Sequence, residues 1–143
     1  MTWAIAVHGG AGTWNKDAHA AAIAGVRAAV GVGAERLRGG ASALDAAIAA
    51  VVALEEDATF NAGTGSTLNL RGEVECDASV MEGHTRRGGA VAAVRGVRNP
   101  VLLAREVLAR TDHVLVAGEG AEELARLWGL ATGNEPTAAR REK

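Results

Sequence analysis

The sequence holds one cysteine, two prolines, one phenylalanine and no tyrosine in 143 residues. A lone cysteine excludes an internal disulfide framework and fits a reducing compartment. Lys16 and Lys143 are the only lysines, and acidic and basic side chains nearly balance at a net charge of −2, so nothing favours nucleic acid or an anionic membrane surface as partner. No apolar run approaches the roughly 20 residues that span a bilayer. No N-terminal stretch joins a basic head, an apolar stretch and a cleavage site. The expectation is a soluble, cytoplasmic protein. The chain is 48% hydrophobic, which rules out wholesale disorder, and that content is mostly Ala, Val and Leu. A core of such small side chains requires its elements to pack closely.

Residues 2–7 read as a buried strand, running into the glycine-rich "HGGAG". From about Asp17 to Arg38 the apolar residues Ile23, Val26, Val30 and Leu37 recur at helical spacing, and Gly39-Gly40 ends the pattern. Ser42 followed by Asp45 opens a second helix, with Leu44, Ile48, Val51 and Leu54 on one stripe through Glu56. Residues 57–67 read as an irregular loop. "LNLRGEVECDASVM" reads as a hairpin turning at Arg71-Gly72. "GGAVAAV" (88–94) is a strand of very small residues, and Asn99-Pro100 opens a helix as cap and first residue. "HVLVAG" (113–118) reads as a short buried strand. Gly120 to Leu130 is a last helix, with Leu124, Leu127 and Trp128 inward. After Ala131 the chain is polar and unpatterned, which marks residues 131–143 as a mobile tail.

Most chemical motifs fail on spacing. No G-x-x-x-x-G-K-[ST] exists, and Gly10-Ala11-Gly12 followed by Trp14 and Asn15 breaks the G-x-G-x-x-G of dinucleotide folds. "HGG" after a strand is shared with the oxyanion loop of α/β-hydrolases, but none of Ser42, Ser66 and Ser79 sits in a G-x-S-x-G elbow. His8, His19, His84 and His113 are scattered without metal-ligand spacing. Cys76 lies between Glu75 and Asp77, whose charges disfavour a thiolate. Glu73, Glu75 and Asp77 alternate along one strand, the pattern of a solvated or ion-paired face. Thr2 would become N-terminal on loss of Met1, but it opens a strand whose far end carries the glycines.

Six stretches in one order carry a family likeness: "AVHGGAG" (6–12), "GGASALDAAIAAVVALEED" (39–57), "FNAGTGS" (60–66), "ECDASVMEG" (75–83), "GAVAAVRGVRNPVLLAR" (89–105) and "HVLVAGEGAEELA" (113–125). Together they make the chain resemble the plant-type L-asparaginase / isoaspartyl peptidase family of N-terminal-nucleophile hydrolases. The resemblance implies an α+β fold, a four-layer αββα sandwich, of which this chain is the N-terminal (α) part. Residues 1–130 would form the α portion of that single domain, completed by a β subunit, with 131–143 as the tail before the cleaved bond. Family members are made as precursors that cut themselves before a threonine. That threonine becomes the nucleophile, with its freed α-amino group, of pKa near 8, as base. No threonine here stands in the family's nucleophile context, so the nucleophile lies outside this chain.

By the same resemblance, Asn61 of "FNAG" positions the β-subunit threonine, and the Gly9-Gly10 loop passes close to it. His8 would fix that loop. The backbone carbonyls of Leu54, Glu55, Asp57, Phe60, Ala62 and Thr64 match a loop that wraps a sodium ion, while Asp57-Ala58 stand where some relatives carry Cys-Pro. The substrate would be a small molecule, a β-aspartyl (isoaspartyl) dipeptide or L-asparagine, and two αβ units would associate as (αβ)2. No organic cofactor is implied. Two further readings stay open: a hydrolase of glycosylated asparagine in the same superfamily, and a non-catalytic scaffold or binding module. Helices and strands that look covered on two sides also imply a chain that does not fold stably alone.

Overall fold

In the computed structural model, residues 2–12 and 16–142 are described. The Trp14-Asn15 end of the glycine motif lies outside them. Two helices, α1 (Lys16–Arg38) and α2 (Ala43–Glu56), form an αα-hairpin at the N-terminal end. Ser42 starts α2 as its sequence suggests: its hydroxyl accepts the N–H of Asp45 at 3.0 Å and donates to the Asp45 carboxylate at 2.8 Å.

The hairpin packs through its small residues. Ala29, Gly33 and Ala34 are the buried positions of α1. A Cβ on Gly33 would run into the Ile5 side chain and come within 3.1 Å of the Ala46 carbonyl of α2. The branched stripe expected to face inward on α1 does so only in part. Val26 packs against the core, whereas Ile23 is 53% exposed. Close approach of two helices favours alanine and glycine at the contact, so the larger side chains are turned aside. On α2, Ile48 and Leu54 are buried but Val51 is exposed.

The only sheet among the described residues has three strands in the order β1 (Cys76–Glu82), β2 (Arg87–Val94), β3 (Leu115–Ala117). β1 and β2 pair antiparallel, while β2 and β3 pair parallel through α3 (Pro100–Arg110). The hairpin therefore turns at residues 83–86 and not at Arg71-Gly72. The earlier turn exists, but it closes a single bridge, Leu68 to Val74. Asn69 builds it, its Oδ1 accepting the N–H groups of Arg71 and Glu73 at 2.9 and 3.0 Å. A side chain that caps its own turn needs no strand to either side.

Helix α3 and helix α4 (Gly118–Leu127) cover one face of the sheet. Val91, Val94, Leu103, Ala104, Val107, Ala121 and Ala125 form this main core. Gly89 lets α3 approach, since a Cβ there would lie 2.7 Å from the Leu108 side chain. Leu124 and Trp128 pack on this core as expected, but Leu127 is 77% exposed. β3 is an edge strand, not a buried one: Leu115 is 57% exposed. No described element covers the opposite face of the sheet, where Met81 and Leu115 stand open among Ser79, Ala90 and Ala117.

Residues 2–10 form no ladder with any described residue. They do keep the side-chain period of an extended strand, with Ile5, Val7 and Gly9 half-buried and Ala4, Ala6 and His8 exposed. Val7 reaches the second core cluster, around Ala29, Leu54 and Phe60. A strand is completed by a neighbour that takes its N–H and C=O groups, and no described segment lies there to do so.

Candidate active site

Phe60, the one phenylalanine, organises this end of the molecule. It is 2% exposed, with its ring between the glycine loop and α1. A Cβ on Gly9 would stand 2.8 Å from the ring and 2.7 Å from Val26 Cγ2; one on Gly25 would stand 2.6 Å from the ring. Gly9 thus has a packing reason of its own. Gly10 differs: a Cβ there would meet nothing within 4 Å, but its φ of +116° is a conformation that other residues avoid. His8 Nδ1 accepts the Gly10 N–H at 3.2 Å, which holds this turn of the loop.

The loop after α2 brings Asn61 to the same place. Gly9, Gly10, Leu54, Phe60, Asn61 and Ala62 line one open cavity of about 880 Å³. Asn61 is exposed and its Oδ1 accepts the Thr67 N–H at 2.8 Å. That bond fixes which way the amide points. Its Nδ2 has no protein partner among the described residues and is the end left for a ligand.

Glu55, Asp57 and Thr64 do not line the cavity. The loop closes on itself through carbonyls: Leu54 O takes the Asp57 N–H at 3.3 Å, Asp57 O that of Phe60 at 3.1 Å, and Ala62 O that of Gly65 at 3.0 Å. Around its short turn Gly63–Gly65, a Cβ on Gly63 would collide with the Glu55 carbonyl and lie 2.8 Å from that of Arg98. A Cβ on Gly65 would collide with the Phe60 carbonyl and lie 2.7 Å from that of Ala58. Carbonyl oxygens crowd this turn. Such a donor set suits a hard monovalent cation. No group of three or more His, Cys, Asp or Glu able to hold a metal occurs among the described residues.

Two features of the site have no motif in the sequence. The first is the side chain of Glu55, only 3% exposed. Its Oε1 accepts the N–H of Val101 at 3.0 Å, so a carboxylate from α2 caps the first turn of α3. Burial pushes this carboxyl up to about 7, against the pull of the Val101 N–H and the nearby Asn99 amide, and the Glu56 charge adds to the rise. Asn99 makes no side-chain capping bond with any described residue, and among those residues its Nδ2 and the Glu55 Oε2 are both left without a hydrogen-bond partner. The capping role expected of Asn99 is thus taken by Glu55, in another helix and 46 positions from the Val101 N–H that it accepts.

The second is the C-terminal segment. Gly133 N donates to Gly96 O at 3.0 Å, and Asn134 Nδ2 donates to Gly63 O at 3.1 Å. Thr137, Ala139 and Arg140, at a single helical turn (α5, Ala138–Arg141), line the cavity that holds Asn61. No periodicity or spacing could have found contacts that depend on a polar chain's path through space.

Of the acidic row only Asp77 lies on β1, and its Oδ1 accepts the Ala93 N–H at 2.8 Å; Glu73, ahead of the strand, pairs with Arg95 at 3.6 Å. Cys76 is buried, and burial raises its thiol pKa, with the nearby charges of Glu55 and Asp77 adding to the rise.

A glycine loop and an asparagine loop meet over this one cavity. The family model described as Asparaginase matches residues 1–143, and the chain belongs to that family. It is 51% identical over 141 residues to the plant-type L-asparaginase of Pyrococcus horikoshii, covering 98% of this chain and 46% of that protein. It is 55% identical over 128 residues to the plant-type L-asparaginase of Thermococcus kodakarensis, covering 89% and 42%. It is 47% identical over 127 residues to the human isoaspartyl peptidase/L-asparaginase, covering 88% and 41%. The chain therefore spans less than half the length of these relatives. No described helix is long and apolar enough to cross a membrane.

Proposed function

We propose that this chain is the α portion of a self-processing amidohydrolase that cleaves β-aspartyl dipeptides and the side-chain amide of L-asparagine. The observation that carries the reading is the cavity shared by Gly9, Gly10 and Asn61, in a chain whose relatives bear those enzyme names and extend well beyond it. The nucleophile is a threonine that opens the β portion, outside these residues. Its free α-amino group acts as base, taking the hydroxyl proton as the oxygen attacks the amide carbon. Asn61 contributes a neutral amide. With Oδ1 committed to Thr67, Nδ2 donates to the threonine oxygen and holds it in the attacking position without changing the charge of the site.

The β portion completes a four-layer αββα sandwich. Support comes from the open sheet face with Met81 and Leu115, and from the extended segment at residues 2–10, for both of which no described residue supplies a covering layer or ladder partner. Two such αβ units associate as (αβ)2, in the cytoplasm. The carbonyls of Leu54, Glu55, Asp57, Phe60, Ala62 and Thr64 would hold a sodium ion, whose charge would offset crowded carbonyl dipoles and stiffen the loop that carries Asn61.

Intact-mass analysis of the full-length product, with N-terminal sequencing of each chain, tests the reading. Two chains, the second beginning with threonine, are expected. A single uncut chain without amidohydrolase activity would move the scaffold reading ahead. In the same protein, Asn61→Ala is expected to lower self-cleavage or turnover on β-aspartyl dipeptides by at least about tenfold, the scale of one lost polar contact to a reacting group. Comparing β-aspartyl dipeptides with glycosylated asparagine as substrates separates the two enzyme readings.

A further inference from the structure

The segment after α4 is tied to the site loop by one side chain. Asn134 Nδ2 donates to the Gly63 carbonyl at 3.1 Å and lies 3.8 Å from Cys76 Sγ. The preceding residue is held as well, through Gly133 N to Gly96 O at 3.0 Å, and Leu130 packs against the main core. Beyond this clasp the chain turns over the cavity, where Thr137 and Arg140 face the same space as Gly9, Gly10 and Asn61.

We propose that Asn134 is a positioning residue for self-cleavage. It fastens the tail to the Gly63 carbonyl, so that the chain leading to the cleaved bond is fed through the cavity beside Asn61. This rests on the reading that the full-length chain cuts itself. In that reaction the threonine oxygen adds to the carbonyl carbon of the preceding residue and the carbon–nitrogen bond breaks. The hydroxyl proton passes to the departing amine. Water then hydrolyses the resulting ester, leaving a carboxylate on the α portion and a free amino-terminal threonine. The first step is intramolecular, so its rate depends on how often the bond lies in attacking geometry. A clasp close to the Asn61 loop raises that frequency by removing chain freedom between the core and the scissile bond. Once the bond is cut, the tail no longer carries a reacting group, and the clasp has no part in turnover.

The side chain is suited to this by its donors. Leucine has nearly the same size and none. Aspartate has the same shape, but when ionised it would set a carboxylate against the Gly63 carbonyl.

The test uses the full-length chain. Uncut protein from cell-free synthesis is followed by intact mass as it matures, for the wild type and for Asn134→Leu, Asn134→Asp and Asn134→Gln. The Leu and Asp variants are expected to cleave at least about tenfold more slowly, the scale expected for a misplaced reacting group. After maturation, kcat/KM per cut molecule is expected to stay within about twofold of the wild type, which a general structural role would not allow. Equal cleavage rates for wild type and Leu variant overturn the proposal, and so does a parallel fall in kcat/KM. If the Leu variant loses its cooperative melt, the Gln and Asp variants decide: faster cleavage by Gln supports the clasp, and equal rates overturn it. A wild type that never cleaves sinks the self-processing reading, and the proposal with it.

Discussion

Glu55 Oε1, at the end of α2, accepts the backbone N–H of Val101 in the first turn of α3, at 3.0 Å and 46 residues apart in sequence. This bond joins the helical hairpin to the helix that covers the sheet. It also sits directly behind the carbonyl-rich loop that carries Asn61. Replacing Glu55 by Ala strands a buried N–H and opens a void, so Glu55→Ala is expected to lower stability of the assembled protein by about 2–4 kcal/mol. Glu55→Gln keeps an acceptor and removes a buried charge, and is expected to lose far less. Urea unfolding of the three proteins checks the order; equal losses for Ala and Gln would show that the bond to Val101 does not stabilise the fold.

The Phe60 ring sets the room at Gly9. A methyl group there would stand 2.8 Å from the ring, so Gly9→Ala is expected to cost about 1–3 kcal/mol and to shift the loop beside Asn61. Trimming the ring should return part of the loss. In a double-mutant cycle with Phe60→Leu, a coupling of about 0.5 kcal/mol or more is expected from thermal melts. Strict additivity would mean that the loop moves aside without touching Phe60.

Ala93 has a φ of +53°, opposite an irregularity in β1 between Cys76 and Ala78, where Asp77 holds its N–H. A left-handed alanine costs about 1–2 kcal/mol, part of which glycine recovers despite its greater freedom when unfolded. Ala93→Gly is expected to raise stability by roughly 0.5–1 kcal/mol, and Asp77→Ala to lower it by about 1 kcal/mol. A destabilised glycine variant in calorimetry would show that the strand conformation is not under strain.

Cys76 is buried, with its thiol pKa raised by that burial and a 3.3 Å contact to Ser66 Oγ. The thiolate is the reactive form, so iodoacetamide at neutral pH is expected to leave the native protein unlabelled and to modify it fully in denaturant. Stoichiometric labelling of the native protein would place the thiol at the surface.

What the sequence determined by itself is local or is carried by recognisable words. The helices over 16–38, 43–56 and 100–110 follow from periodicity, a Ser42 cap and a proline start, all of which act within a few residues. The family followed from six ordered stretches, and the matching family model covers the whole chain. Tertiary structure decided everything that depends on a neighbour distant in sequence. Residues 2–7 have the pattern of a strand, but no described segment pairs with them, because alternation encodes a face and not a partner. The hairpin formed at 83–86, because β2 supplies a ladder that residues 68–74, closed by their own Asn69, do not need. The small face of α1 turned inward because close helix contact excludes the branched side chains that the stripe favoured. Glu55 and Asn134 show the same limit from the polar side: each bonds a backbone group more than 40 positions away, at an address that only the folded path of the chain defines.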